Sequence, residues 1–102
     1  MDKEQRQRIA NYLGLARKAG KILAGDVAAK EALLKGRATL LVIAADTAPK
    51  VREELIALAG EDVPILDWPD KDDLGRIVGM SRRGALALLD PGFAKAVGKV
   101  LE

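Results

Sequence analysis

The chain contains no cysteine, no histidine and only three aromatic residues among its 102 positions. Without cysteine there is no disulfide, no thiolate nucleophile and no Cys-based zinc site. Without histidine the commonest general acid/base and the commonest metal ligand are both missing. The longest apolar runs, such as Leu40–Ala45 and Ala85–Leu89, are six and five residues long, far short of the roughly 20 that a membrane-spanning helix requires. The N-terminus opens on charges without an apolar stretch, so no export signal is expected. A reduced cytoplasm is the expected location, with no membrane partner.

The motifs of catalysis and nucleotide binding are missing as well. Ser81 is the only serine, and no histidine is present to activate it. Neither a G-x-G-x-x-G nor a G-x-x-x-x-G-K-[ST] occurs. Gly20-Lys21 is followed by Ile22 and Gly98-Lys99 by Val100, which leaves a phosphate loop no hydroxyl for magnesium. Asp70, Asp72 and Asp73 with Gly75 faintly resemble a calcium loop, but Leu74 stands where an oxygen ligand belongs. Acidic residues opening a helix explain that cluster, because the helix dipole favours anions there. No enzyme activity, cofactor, metal or small-molecule substrate is expected.

What the chain does have is an uneven distribution of charge. Net charge is only +2, yet residues 1–37 carry nine basic side chains against four acidic ones. Residues 38–73 carry three against nine, and residues 74–102 five against two. If the fold joins the first and last segments, one face attracts polyanions while the other stays acidic.

Glycine and proline divide the chain into short elements. Ile9, Tyr12, Leu13 and Ala16 recur at helical spacing over residues 3–19, with Gly20 placed for a left-handed stop. Lys21–Gly25 is a short extended piece that can supply an extra strand. Asp26 is positioned to cap a helix running to about Lys35 and ending at Gly36. Thr39–Ala44 reads as a strand buried on both faces. Pro49 suits the first turn of a helix that ends at Gly60. Val63–Leu66 is a second strand, confined by Pro64 to an edge or a strand start. Asp70 or Asp72 opens a short helix ended by Gly79, with Gly75 as a helix-interior contact. Ala85–Leu89 is a third buried strand, and Asp90-Pro91 starts the last helix. Strands alternating with helices imply a single α/β domain over residues 1–102, an α/β/α sandwich with a largely parallel central portion. Trp68 and Tyr12 are the aromatic candidates for stacking on bases; their positions also suit, respectively, a core edge and the apolar face of the first helix.

Three stretches together form a recognisable pattern. They are Leu13-Gly-Leu-Ala-Arg-Lys-Ala-Gly-Lys-Ile-Leu-Ala-Gly25 with the strand T-L-L-V-I-A-A-D, then Val63-Pro64-Ile65 leading to Asp73-Leu-Gly-Arg-Ile-Val-Gly79, then Ala85-Leu-Ala-Leu-Leu-Asp-Pro-Gly92. Nearly the whole chain resembles the kink-turn-binding ribosomal protein family (the L-seven-Ae and L-thirty-e group), and its small bacterial YlxQ-type branch most of all. The resemblance implies a three-layer α/β/α sandwich around a four-stranded mixed sheet. It implies binding of structured RNA, ribosomal RNA or another kink-turn RNA, in association with the ribosome.

It also implies a binding surface: Gly25–Ala29, Asp46 and the loop Met80–Gly84. The site residues expected on this basis are Gly25, Asp26, Val27 and Ala28 against the bend, Asp46 toward a base amino group, and Gly84. Lys18, Lys21, Lys30, Arg37, Arg82 and Arg83 are expected on phosphates. Where the archaeal members read Asn-Glu with a Lys downstream, this chain carries Val27-Ala28 and Glu31. Val and Ala cannot hydrogen-bond purine edges, and Lys30 sits one residue, about 100° of helix, from the family's lysine. The alternative reading is a protein–protein module whose acidic middle docks a basic translation factor, with only weak, non-specific RNA affinity.

Overall fold

A computed structural model describes residues 1–102. The first helix, α1 (Lys3–Lys18), starts with a reciprocal cap: the Asp2 carboxylate accepts from Gln5 N at 2.8 Å and the Gln5 side chain accepts from Asp2 N at 2.9 Å. Ile9, Leu13 and Ala16 bury its inner stripe, and Gly20 follows at φ +72°, the left-handed stop its position predicts. Then come β1 (Ile22–Ala24), α2 (Asp26–Leu34), β2 (Leu40–Ala44), α3 (Pro49–Ala59) and β3 (Ile65–Trp68). They are followed by α4 (Lys71–Ile77), β4 (Ala85–Leu88) and α5 (Pro91–Val100). Asp70 caps α4 by accepting from Asp73 N at 2.7 Å, and Asp90 caps α5 through Gly92 N at 2.7 Å.

The four strands form one mixed sheet in the order β1-β4-β2-β3. Because side chains alternate across a strand, the sheet has two apolar faces. Leu40, Val42, Ala44, Leu86 and Leu88 pack against α1, α4 and α5, while Leu41, Ile43, Ala85 and Ala87 pack against α2 and α3. Each fully buried Leu or Ile here contributes about 1.5–3 kcal/mol of transfer free energy. The result is the three-layer α/β/α arrangement, with the piece at Ile22 supplying the fourth strand.

Three expectations are corrected. The sheet is not largely parallel: only β2 and β3 run parallel, and β4 is antiparallel to both its neighbours. Burial on both faces suggests parallel strands, but burial carries no direction. The direction is set by the connection after β3. The loop after α4 folds back along that helix, with Met80 N donating to Gly75 O at 2.9 Å and Arg83 N to Lys71 O at 3.1 Å. The chain therefore re-enters the sheet at the end where it left.

The second strand lies at Ile65–Trp68 rather than Val63–Leu66. Val63 N still donates to the α3 carbonyl of Ala59 and Pro64 has no N–H, so the pairing with β2 starts with the proline's carbonyl, which accepts from Leu41 N at 3.0 Å. Last, Asp26 does not cap α2. Gly25 is the N-cap, at φ +116° and ψ 155°, a conformation open to glycine alone, and no side chain caps the helix.

Candidate nucleic-acid interface

The register places the C-terminal ends of β1, β2 and β3 and the start of β4 on one rim of the sheet. Ala24 pairs with Leu86, Ile43 with Ala85, and Ala44 with Trp68. In open α/β sheets this is the rim where ligands bind. Four backbone hydrogen bonds build it: Gly25 N to Ala85 O at 2.8 Å, Ala44 N to Gly84 O at 2.8 Å, Ala45 N to Trp68 O at 2.8 Å and Arg83 N to Lys71 O at 3.1 Å.

At the centre of the rim Ala24–Ala28 and Glu31 face Arg82, Arg83 and Gly84 across a shallow depression. Gly84 is buried, and a Cβ there would lie 2.6 Å from Asp26 Oδ1 and 2.9 Å from Thr47 Oγ1. The glycine therefore lets the start of α2 close onto β4. Thr47 is buried and donates its hydroxyl to Gly84 O at 2.8 Å. Asp26 Oδ1 is buried with no hydrogen-bond partner. With no side-chain cap, the first-turn amides of α2 are left open, carrying the positive end of the helix dipole.

The charged side chains of the rim are largely neutralised by one another. Arg82 Nε lies 2.9 Å from Asp72 Oδ1 in an ion pair, and its Nη2 lies 4.0 Å from Asp46 Oδ2. The other Asp46 oxygen accepts from Lys71 N at 2.9 Å, so this carboxylate ties β2's end to α4. Lys30 pairs with Glu54 of α3. Arg83 alone of these cations has no carboxylate partner. Its Nη1 donates to Ser81 O, Ser81 Oγ and Arg82 O at 3.2, 2.9 and 2.9 Å, which holds the guanidinium over its own loop. Val27 stands 79 % exposed beside it, an apolar side chain at the mouth of the depression.

Of the twelve residues expected from sequence, eight meet on this rim: Gly25, Asp26, Val27, Ala28, Asp46, Arg82, Arg83 and Gly84. Lys30 lies just beyond, in the cleft between α2 and α3. Lys21 and Arg37 are at the opposite end of the sheet, where Leu89 N donates to Lys21 O and Thr39 N to Leu88 O. Lys18 is on the outer surface of α1, beside α4. Neither aromatic candidate stands free as a platform. Trp68 is buried and donates Nε1 to Asp73 Oδ2 at 2.8 Å, and Tyr12 is half-buried against the core.

The sequence places Ser81 within the expected Met80–Gly84 loop without showing that it holds Arg83, and it shows neither Thr47 as part of the rim nor Asp72 as the partner of Arg82. Thr47 carried a signal, a lone hydroxyl directly after a buried strand, where a hydrogen bond must be found for it.

A three-layer α/β/α domain with a glycine-opened helix and an arginine loop on one strand-end rim defines a class of small binding domain. The chain belongs to the ribosomal protein L7Ae/L30e/S12e/Gadd45 family, whose sequence profile matches residues 7–98. It is 23 % identical over 103 residues to the RNA-binding protein YlxQ of Enterococcus faecium, covering all of this chain and 99 % of that one. It is 34 % identical over 91 residues to the large ribosomal subunit protein eL8 of Cenarchaeum symbiosum (strain A), covering 87 % and 72 % respectively. Among solved structures, a Giardia lamblia 15.5kD RNA binding protein superposes with a TM-score of 0.78 at 28 % identity, over 99 % of this chain and 91 % of that one. A Bacillus halodurans protein of unknown function shares the fold, with a TM-score of 0.85 at 24 % identity over 92 % and 96 %.

Proposed function

We propose that this chain binds structured RNA without catalysis, through the rim formed by the start of α2 and the Met80–Gly84 loop, and that the ligand is a kink-turn or related bent RNA of the ribosomal type. The observation that carries the reading is the pairing of an uncapped α2 N-terminus with the carboxylate-free Arg83 across Gly25 and Gly84. Open amides and a guanidinium suit phosphate, and glycine permits close backbone approach. Exposed Val27 offers an apolar surface to an unstacked base, which a bent RNA supplies and a regular duplex does not. Family membership and the RNA-binding relatives support the same ligand class.

The test is a fluorescence titration against a kink-turn hairpin and a straight duplex of equal length. Tighter binding to the hairpin is the expected result. Arg83→Ala should weaken both complexes and flatten the log–log salt dependence by about one unit. Arg82 is held by Asp72 and Asp46, so Arg82→Ala should change the slope less. Equal and weak binding to both RNAs, with no change in Arg83→Ala, refutes the reading and turns attention to the acidic 38–73 segment as a docking surface for a basic protein.

A further inference from the structure

Arg83 is the only free cation on the rim; a larger cluster of free positive charge lies elsewhere. Across the sheet, on the outer layer, three adjoining concavities run along the seam between α1 and α4. The first two share Gln7, Ala10 and Arg76, and the last two share Gly14, Lys18, Arg76 and Ile77, so they form one continuous groove. Ala10 and Gly14 line it on the α1 side. A Cβ at Gly14 would already lie 3.4 Å from Ile77 O, so α1 and α4 cross at backbone distance there.

Its walls carry Lys3, Arg6, Arg17, Lys18 and Arg76. Only Arg76 has a carboxylate partner, Asp73 at 2.6 Å; the other four have none within ion-pair distance. Asp73 and Asp70 are the only acids lining the groove, and both are engaged internally. Asp73 holds Trp68 Nε1 and Arg76, and Asp70 holds the Asp73 amide. At the rim Arg82 and the nearby Lys30 are both matched by carboxylates, which leaves Arg83 as the single free cation there. The fold thus joins the basic 1–37 segment to Arg76 of the basic 74–102 segment, while α3, with Lys50 and Arg52 against Glu53 and Glu54, packs on the far face of the sheet.

We propose that the α1–α4 groove is a second nucleic-acid contact, a sequence-independent track for the phosphate backbone of an RNA helix. Lys3 to Lys18 span about 22 Å along α1 at 1.5 Å per residue, enough to follow several successive phosphates. The cations recur near the ends of the groove. Gln7 and Asn11, joined by a hydrogen bond of 3.0 Å, are placed between them, with amide hydrogens for ribose or phosphate oxygens. The rim then recognises shape while the groove supplies affinity. The inference shares the RNA ligand class with the proposed function but not its residues.

The experiment uses the full chain carrying Lys3→Gln, Arg6→Gln and Lys18→Gln together. All three positions are exposed on α1 and Gln is a good helix former, so circular dichroism should be unchanged. With a straight RNA duplex as probe, the salt slope should fall by roughly two to three units, from the loss of up to three phosphate contacts. The hairpin-to-duplex preference should persist, since it arises at the rim. A wild-type protein without measurable duplex binding, or a triple variant with the wild-type slope, overturns the groove. Loss of hairpin preference in the wild type, with the slope effect intact, overturns the rim reading alone.

Discussion

Gly75→Ala tests how the arginine loop is held. In the interior of α4, a Cβ at Gly75 would lie 2.0 Å from Ser81 O, 2.6 Å from Ser81 C and 3.1 Å from Arg82 N. All three are backbone atoms, so no rotamer change can relieve the overlap. Restoring ordinary contact requires the loop to retreat by more than about 1 Å, a displacement in the class of core overpacking that costs about 1–3 kcal/mol. The better helix propensity of alanine returns up to about 1 kcal/mol. The retreat also breaks the bond from Met80 N to Gly75 O, adding about 0.5–1.5 kcal/mol. A net loss of about 1–3 kcal/mol corresponds to a fall in Tm of about 4–20 °C for a domain of this size.

Thermal melts followed by circular dichroism measure it, with Gly98→Ala as control. Gly98 lies in α5 with nothing within 4 Å of a Cβ, so that variant should be neutral or stabilised. Because the displaced backbone carries Ser81 and Arg82, Gly75→Ala should also weaken hairpin binding under conditions where it is still fully folded. A Tm equal to wild type and an unchanged hairpin affinity would refute the account of the loop.

The remaining expectations concern the two side chains that fasten the rim and the outer layer. The Asp73 carboxyl is held below its ordinary value of 3.8, foremost by its hydrogen bond from Arg76; burial is the next influence and opposes it, and Trp68 Nε1 and the charges of Arg76 and Arg6 add to the lowering. A carboxylate lowered in the folded state contributes stability above its unfolded pKa, and loses that contribution as pH falls through the folded one. Asp73→Asn should therefore shift the urea midpoint downward at pH 7 and by much less at pH 2.5; an equal shift at both would refute the ion-pair account. Thr47→Val keeps the shape but removes the bond to Gly84 O, which still accepts from Ala44 N. It should cost about 0.5–1.5 kcal/mol by chemical denaturation, and a midpoint identical to wild type would show the hydroxyl to be idle.

Periodicity and punctuation carried most of the fold. Residues such as Gly20, Pro49, Gly79 and Asp90-Pro91 stop or start elements for local steric reasons, and those positions hold in the structure. Strand direction was not legible, because it depends on the return of residues 78–84 along α4, a packing of Gly75 on Ser81 that no local rule encodes. The site was legible where backbone demanded it, at Gly25 and Gly84. It was illegible where ion pairing decided matters: nothing in the spacing of Asp46, Asp72 and Arg82 shows that they satisfy one another. Lys21 and Arg37 looked like neighbours of Gly25 in sequence, but β1 and the turn before β2 carry them to the far end of the sheet.

The antiparallel return from β3 to β4 has a consequence for how such a chain diversifies. Leaving and re-entering the sheet on one rim makes residues 69–84 a closed excursion, whose ends are pinned by Ala45–Trp68 and Ala44–Gly84 backbone bonds. Residues added near its tip would lengthen the arm without shifting any strand against its partner. Val27, exposed at the start of α2, is likewise outside both cores. The proposed contact surface is thus separable from register and packing, so a descendant can change its rim while inheriting the frame unchanged.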